Sequence, residues 1–394
     1  MPILVKPFLG CNIKCEYCYE KEYRSKHQPK MEYNLEAILK SIDVVASKKQ
    51  QKDIAVHGGE PLCIPKEDVS KLLAKAKEAS GHSSIQTNGT LIDREWINIF
   101  KENNTHVGVS LDGTGGLSRF RMSPEMEDKV MGNIRKMRDF GLGVSVISLL
   151  SMSNASTDEQ LERYMKWLLE LKSLGVGGRL NPCDDHENHA HELPIERMAE
   201  VYRKLTLFCL ENGLTWSPMS DFASKLNGNH AVCSFSGCDM FCTDSAVVIL
   251  GDGAVTNCMR TNIGDIVLRA DEKTDMRAKT LQYIPQEEKG CKDCEYWNYC
   301  MGGCPVTGMD NDWRNRTRFC LVWKTIIKVL QNAKILTNYM LQPTSSNKCD
   351  KGNTPHTDKV EGHKDIYTDI PHKDVPHRNL GGAYGSKDNS KTQA

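Results

Sequence analysis

Three thiols fall within the first eighteen residues of the chain, at Cys11, Cys15 and Cys18 in the stretch CNIKCEYC. Thiols this dense ligate metal ions or iron–sulfur clusters, and such sites usually recruit four protein ligands. Nothing nearby supplies a fourth, because the next cysteine is Cys63. One chemistry is a zinc site closed by a remote residue. The other is a [4Fe–4S] cube with one iron left open to the amino and carboxylate groups of a small molecule.

A second array lies downstream. It reads Cys242-x10-Gly253-x4-Cys258, then Cys291-x2-Cys294-x5-Cys300-x3-Cys304, then Cys320. The chain holds sixteen cysteines in 394 residues, and nine of them lie from Cys233 to Cys320. In a reducing compartment, that clustering argues for metal or cluster ligation over disulfides. A zinc ribbon at Cys291–Cys304 is the bland alternative. Cys63, Cys183, Cys209 and Cys349 fit neither array and read as buried or incidental thiols.

The elements that must position these cysteines follow a βα rhythm. Strand candidates are ILVK (3–6), IAVH (54–57), SIQT (84–87), HVGVSL (106–111), GVSVISL (143–149) and GGRLN (177–181). Amphipathic helices are expected over 35–49, 66–80, 93–103, 126–140, 157–174 and 194–212. Six strand–helix pairs imply right-handed parallel units in an α/β fold. An incomplete (β/α)6 TIM-like barrel fits that number, with a doubly wound open sheet as the alternative. Either architecture gathers ligands at the C-terminal strand ends. The CxxxCxxC loop follows the first strand, and three motifs follow the next three: HGGEP, QTNGT and SLDG.

Composition excludes several function classes. Hydrophobic residues make up 39% and charged residues 26%, ordinary for a globular chain. Fifty-one basic residues balance 51 acidic ones, leaving no electrostatic footprint for nucleic acid or an anionic membrane. Apolar runs such as VSVISLL and AVVIL fall well short of the ~20 residues of a membrane span. The opening MPILVKPFLG has no secretion-signal pattern, so a cytoplasmic location is expected.

With these residues in view, the N-terminal motifs resemble those of the radical S-adenosylmethionine (SAM) enzymes. The resemblance covers about residues 4–325, and KPFLGCNIKCEYCYE is similar to the opening of the anaerobic sulfatase-maturating and ribosomal-peptide maturase group. It implies a [4Fe–4S] cluster on Cys11, Cys15 and Cys18, with SAM chelating the open iron and Tyr17 beside it. It also implies SAM contacts from Gly58, Gly59 and Glu60 of the GGEP motif and ribose contacts from Gln86 and Ser110. Arg121 would pair with the SAM carboxylate, a task for which Arg119 competes.

The downstream array resembles the seven-cysteine SPASM extension of peptide-modifying radical SAM enzymes. By that resemblance Cys238, Cys242, Cys258 and Cys304 would hold one auxiliary [4Fe–4S] cluster, with Cys233 the alternative to Cys238. Cys291, Cys294, Cys300 and Cys320 would hold a second, for three clusters in all. The implied domains are a radical SAM partial barrel over 1–220, a SPASM domain over 221–342 closed by a helix near 319–341, and a tail over 343–394. That tail is poor in apolar residues and repeats His-x-Asp at His356, His363 and His372. It is expected to be disordered.

The implied activity is reductive cleavage of SAM to a 5′-deoxyadenosyl radical that takes hydrogen from a peptide or protein. An external one-electron donor such as flavodoxin or ferredoxin would serve it. One departure matters: sulfatase-maturating enzymes carry an aspartate, thought to act as base, directly after the cysteine matching Cys258, and this chain has Met259. A thioether or carbon–carbon cross-link is therefore favoured over formylglycine formation. A non-catalytic cluster- or zinc-binding module is the reading from another class. No catalytic base is assigned, although Asp112 and Arg260 fall near the expected site. The segment DDHENHAHE (184–192) reads as a solvated acidic loop beside the substrate opening, or as a metal site using His186, His189 and His191.

Overall fold

Short strands alternate with helices whose apolar positions recur at helical spacing, so each helix lays one buried stripe over a shared sheet. The computed structural model describes residues 3–21, 32–48, 53–185, 189–229, 247–256, 258, 260 and 276–333. Cys233, Cys238, Cys242, His186, Met259, Cys349 and the tail over 343–394 lie outside the described residues.

The first six strands are β1 (Ile3–Lys6), β2 (Ile54–Val56), β3 (Ser83–Thr87), β4 (Thr105–Ser110), β5 (Val144–Leu150) and β6 (Gly177–Pro182). They lie side by side in chain order and every neighbouring pair is parallel. That serial order matches the incomplete barrel; a doubly wound sheet would reverse direction at a switch point. The intervening helices are α1 (Leu35–Lys48), α2 (Lys66–Ser80), α3 (Arg94–Glu102), α4 (Pro124–Asp139) and α5 (Asp158–Ser173), with α6 (Ile195–Glu211) after β6.

Local chemistry sets these boundaries. The Asp93 side chain accepts from the Trp96 N–H to start α3. Thr157 and Gln160 form a reciprocal capping box at α5. Gly81, at φ +80°, ends α2 by donating to the Lys77 carbonyl.

Both edges of the six-strand unit are extended. Beyond β6 lies β7 (Trp216–Ser217), followed by α7 (Met219–Leu226), a helix that runs across residue 220. Beyond β1 lies β8 (Val247–Leu250), parallel to it with Lys6 opposite Leu250, and then antiparallel β9 (Val255–Thr256). The downstream segment thus contributes two strands to the barrel sheet, which the sequence pattern did not foretell. Helices α8 (Met276–Tyr283), α9 (Trp297–Cys300) and α10 (Cys320–Asn332) complete the described chain.

Helix α10 joins the same core. Trp323 is fully buried, with ring centroids 6.1 Å from Tyr202 on α6 and 5.8 Å from Phe222 on α7. Ile326, Ile327 and Leu330 are buried beside it in one continuous cluster with the barrel residues. Among the described residues no helix is long and apolar enough to cross a membrane.

Candidate active site and auxiliary cysteine cavity

The cysteine loop leaves β1 and is braced by the rims of β2 and β3. A Cβ on Gly58 would strike the Phe8 carbonyl oxygen, and one on Gly59 the carbonyl oxygens of Leu9 and Gly10. Only glycine permits that approach. The Gly59 N–H donates to Phe8 O at 3.0 Å, and the Glu60 N–H donates to Gly10 O at 2.7 Å. The first element that the GGEP motif approaches closely is therefore the entry to the cysteine loop itself.

Glu60 has a structural place that its motif did not announce. Its carboxylate is fully buried and accepts from the Leu62 N–H at 3.0 Å, the Thr87 hydroxyl at 2.7 Å and the Asn88 N–H at 2.7 Å. Burial pushes its pKa up to about 7 against the pull of those donors. Glu60 thus fastens the β2 rim to the β3 rim from inside. Asn88 continues the brace, donating to Asn12 Oδ1 at 2.9 Å with its amide nitrogen 3.8 Å from Cys11 Sγ. Asn12 in turn donates to the Thr90 hydroxyl at 2.9 Å. Asn12, Thr87, Asn88 and Thr90 were not singled out individually, although QTNGT marked their loop.

Cys11, Cys15 and Cys18 are partly buried in this loop and form no disulfide. Burial raises the Cys15 thiol to about 11; Arg121 opposes that shift, and Cys18, Asp112 and Cys11 add to it. Three thiols gathered on one loop suit an iron cluster, whose cationic core would favour their thiolate form. The donor set fits the group.

Beside the loop sits a buried triad. Asp112, only 1% exposed, accepts from the Tyr17 hydroxyl, from Arg121 Nε at 3.1 Å and Nη2 at 3.2 Å, and from the Leu149 N–H at 2.8 Å. The Arg121 guanidinium also lies 5.5 Å from the Tyr17 ring centroid. Arg119 instead is exposed, donating to the Met152 carbonyl at 3.2 Å. Of the two competing arginines, only Arg121 is packed into the barrel mouth against Tyr17. On the neighbouring strands Gln86 donates to the Ser110 hydroxyl at 2.8 Å. Gly108 makes room for Gln86, since a Cβ there would overlap its side-chain oxygen.

The rim loop after β6 corrects an expectation. Asp184 and Asp185 are 7% and 4% exposed, so this end of the segment is not a solvated acidic stretch. Asp184 pairs with Arg318 and with Arg260; Glu192 pairs with Arg318 at 2.7 Å. Buried carboxylates demand such partners. His191 bridges Asp185 at 2.6 Å and Glu16 at 3.0 Å, tying the rim to the cysteine loop. Burial opposes its charge, but the two carboxylates outweigh that and raise its pKa. Arg318 and Arg260 stand two positions from Cys320 and Cys258, so ionic contacts link the downstream array to the barrel mouth.

Within that array Cys291, Cys294, Cys300 and Cys320 all line one small cavity. Among the described residues no three His, Cys, Asp or Glu side chains close on a single-ion site. Burial pushes Cys291 up to about 12, with Cys300, Cys320 and Cys294 adding to it. Carbonyls gripped by arginines shape the surrounding loops. Arg277, 3% exposed, donates to Trp313 at 2.7 Å, Gly303 at 3.2 Å and Asn315 at 2.9 Å, and Arg316 donates to Gly290 at 2.8 Å. Cys304 is buried and Cys258 partly buried. Cys183 and Cys209 are buried, and Cys63 is exposed.

Comparison with known proteins bears directly on this arrangement. Residues 5–168 match the model of the radical SAM superfamily. The cysteine-type anaerobic sulfatase-maturating enzyme of Clostridium novyi is 26% identical over 334 residues, spanning 77% of this chain and 87% of that one. Native anSMEcpe with bound AdoMet superposes with a TM-score of 0.66 at 21% identity, covering 87% of this chain and all of that one. The same protein with AdoMet and Cp18Cys peptide gives a TM-score of 0.63 at 21% identity, covering 84% of this chain and 99% of that one. The superfamily implies one [4Fe–4S] cluster and SAM. Residues 5–168 thus carry a radical SAM domain, and the chain is similar to the anaerobic sulfatase-maturating enzymes over most of its length and shares the α/β fold of anSMEcpe.

Proposed function

We propose that this enzyme is a radical SAM/SPASM maturase that modifies a peptide or protein. The observation that carries the reading is the pairing of two cysteine centres. Three thiols sit on a braced loop at the barrel mouth, and four more surround one cavity in the downstream array. A centre with three protein ligands suits a chelating small molecule, and a closed set of four suits an auxiliary cluster.

In this reading Cys11, Cys15 and Cys18 hold the first [4Fe–4S] cluster. Cys291, Cys294, Cys300 and Cys320 hold one auxiliary cluster. Cys238, Cys242, Cys258 and Cys304 hold the other. When bound, the first cluster and SAM supply a 5′-deoxyadenosyl radical that takes hydrogen from the substrate. The chain's own residues bind and orient. Arg121 receives the SAM carboxylate, Gln86 and Ser110 the ribose, Gly58 and Gly59 present backbone, and Tyr17 packs beside the cofactor. Glu60 supports the site from beneath.

Two reactions compete for the substrate radical. Met259, where sulfatase-maturating relatives carry aspartate, favours a cross-link such as a thioether or carbon–carbon bond. Similarity to a cysteine-type sulfatase maturase over 77% of this chain favours oxidation of Cys or Ser to formylglycine. Anaerobic reconstitution followed by reduction with SAM tests the class. About twelve irons per chain and release of 5′-deoxyadenosine are expected for three four-iron clusters. Zinc with no nucleoside would instead identify a binding module. Mass spectrometry of a cysteine-containing sulfatase peptide separates the two reactions. Formylglycine replaces sulfur by oxygen and removes two hydrogens, whereas a cross-link removes two hydrogens only.

A further inference from the structure

We propose that Asp112 is a positioning residue for SAM, fixing the Arg121 guanidinium so that Nη1 remains the donor for the SAM carboxylate. The proposal rests on the reading of Arg121 given above. Asp112 meets the Nε–Nη2 edge of Arg121 with both carboxylate oxygens, at 3.1 and 3.2 Å. Among the described residues Arg121 makes hydrogen bonds only through that edge. A guanidinium offers two such forks, so engaging one leaves a donor of fixed direction for a second carboxylate.

Asp112 is itself immobilised. Its Oδ1 also accepts from the Leu149 N–H at 2.8 Å, and its Oδ2 from the Tyr17 hydroxyl. Its backbone N–H donates to the Ser118 hydroxyl at 2.9 Å, and its carbonyl accepts from Asn154 at 2.9 Å. Each oxygen already has two donors, so this carboxylate is unsuited to serve as a base. It links the β4 and β5 rims, the cysteine loop and Arg121 in one rigid unit.

The sign of the effect separates positioning from simple electrostatics. Asp112→Asn removes a negative charge beside the arginine, which by charge alone would tighten binding of an anionic group. Loss of the bidentate contact frees the guanidinium and weakens it instead.

The test is anoxic calorimetry on cluster-loaded enzyme, with SAM and decarboxylated SAM as probes. In the wild type, SAM should bind more tightly than its decarboxylated analogue. In D112N that preference should fall about tenfold or more, as it should in R121M, with no further loss in the double variant. Affinity for decarboxylated SAM should stay within about threefold of the wild type. Tighter SAM binding by D112N, or equal weakening of both probes, overturns the proposal. If D112N fails to load iron, D112E displaces the carboxylate by one methylene, and a wild-type preference there overturns it equally. A wild type indifferent to the carboxylate would defeat the Arg121 reading, and Asp112 with it.

Discussion

Glu60 offers a prediction whose sign and size follow from its surroundings. A free glutamate has a pKa of 4.5, and burial at this position raises it to about 7. At about 1.4 kcal/mol per tenfold change, that difference corresponds to roughly 3 kcal/mol. Because the folded value is the higher one, the contribution to stability is full below about pH 4.5 and is lost as pH rises through 7. Glu60→Gln cannot titrate and lacks this slope. Hydrogen exchange of segments 58–64 and 83–90 reads it locally, since Leu62 and Asn88 donate their amides to this carboxylate. After correction for intrinsic exchange, wild-type protection should drop by on the order of 100-fold from pH 5 to pH 8. E60Q should stay nearly flat across that range. Parallel profiles for the two proteins would refute the assignment of Glu60 as a buried support titrating near neutrality.

Three further predictions follow from the packing and the rim network. Asp184→Asn removes the carboxylate shared by Arg260 and Arg318 and should cost about 3 kcal/mol in denaturant unfolding; a loss below about 0.5 kcal/mol would show the pairs are idle. Trp323→Ala opens a cavity between α6, α7 and α10 and should cost about 3–5 kcal/mol, with a matching fall in the unfolding midpoint. Gly59→Ala forces a Cβ into the carbonyls of Leu9 and Gly10. It should lower iron bound at Cys11, Cys15 and Cys18 while leaving α10 protected from hydrogen exchange; undiminished iron there would count against the brace.

The barrel was legible because its elements repeat a simple physical pattern. The helix over 66–80 was bounded correctly by its apolar spacing, and β1 by the run ILVK. Strands β7, β8 and β9 were not foreseen as sheet members. Two residues in β7 carry too little alternation to read, and β8 lies among cysteines that drew attention to ligation. The family resemblance, not the spacing, groups Cys291, Cys294, Cys300 and Cys320 as one ligand set, and these four thiols line one cavity. The rim network was hidden for a different reason. Asp184 meets Arg260 and Arg318 across more than seventy residues, and no local pattern announces a long-range ion pair. Glu60 shows the same limit from the other side: a motif can be recognised while the direction of its side chain stays unread.

The central claim is that the cluster site at Cys11, Cys15 and Cys18 leaves one iron for SAM. Electron paramagnetic resonance of the reduced enzyme tests it most directly when the auxiliary sites are removed by Cys294→Ser and Cys304→Ser. Addition of SAM should shift the signal of the remaining four-iron cluster, and Cys15→Ser should abolish that signal. A spectrum unchanged by SAM, or a centre containing zinc in place of iron, would contradict the account.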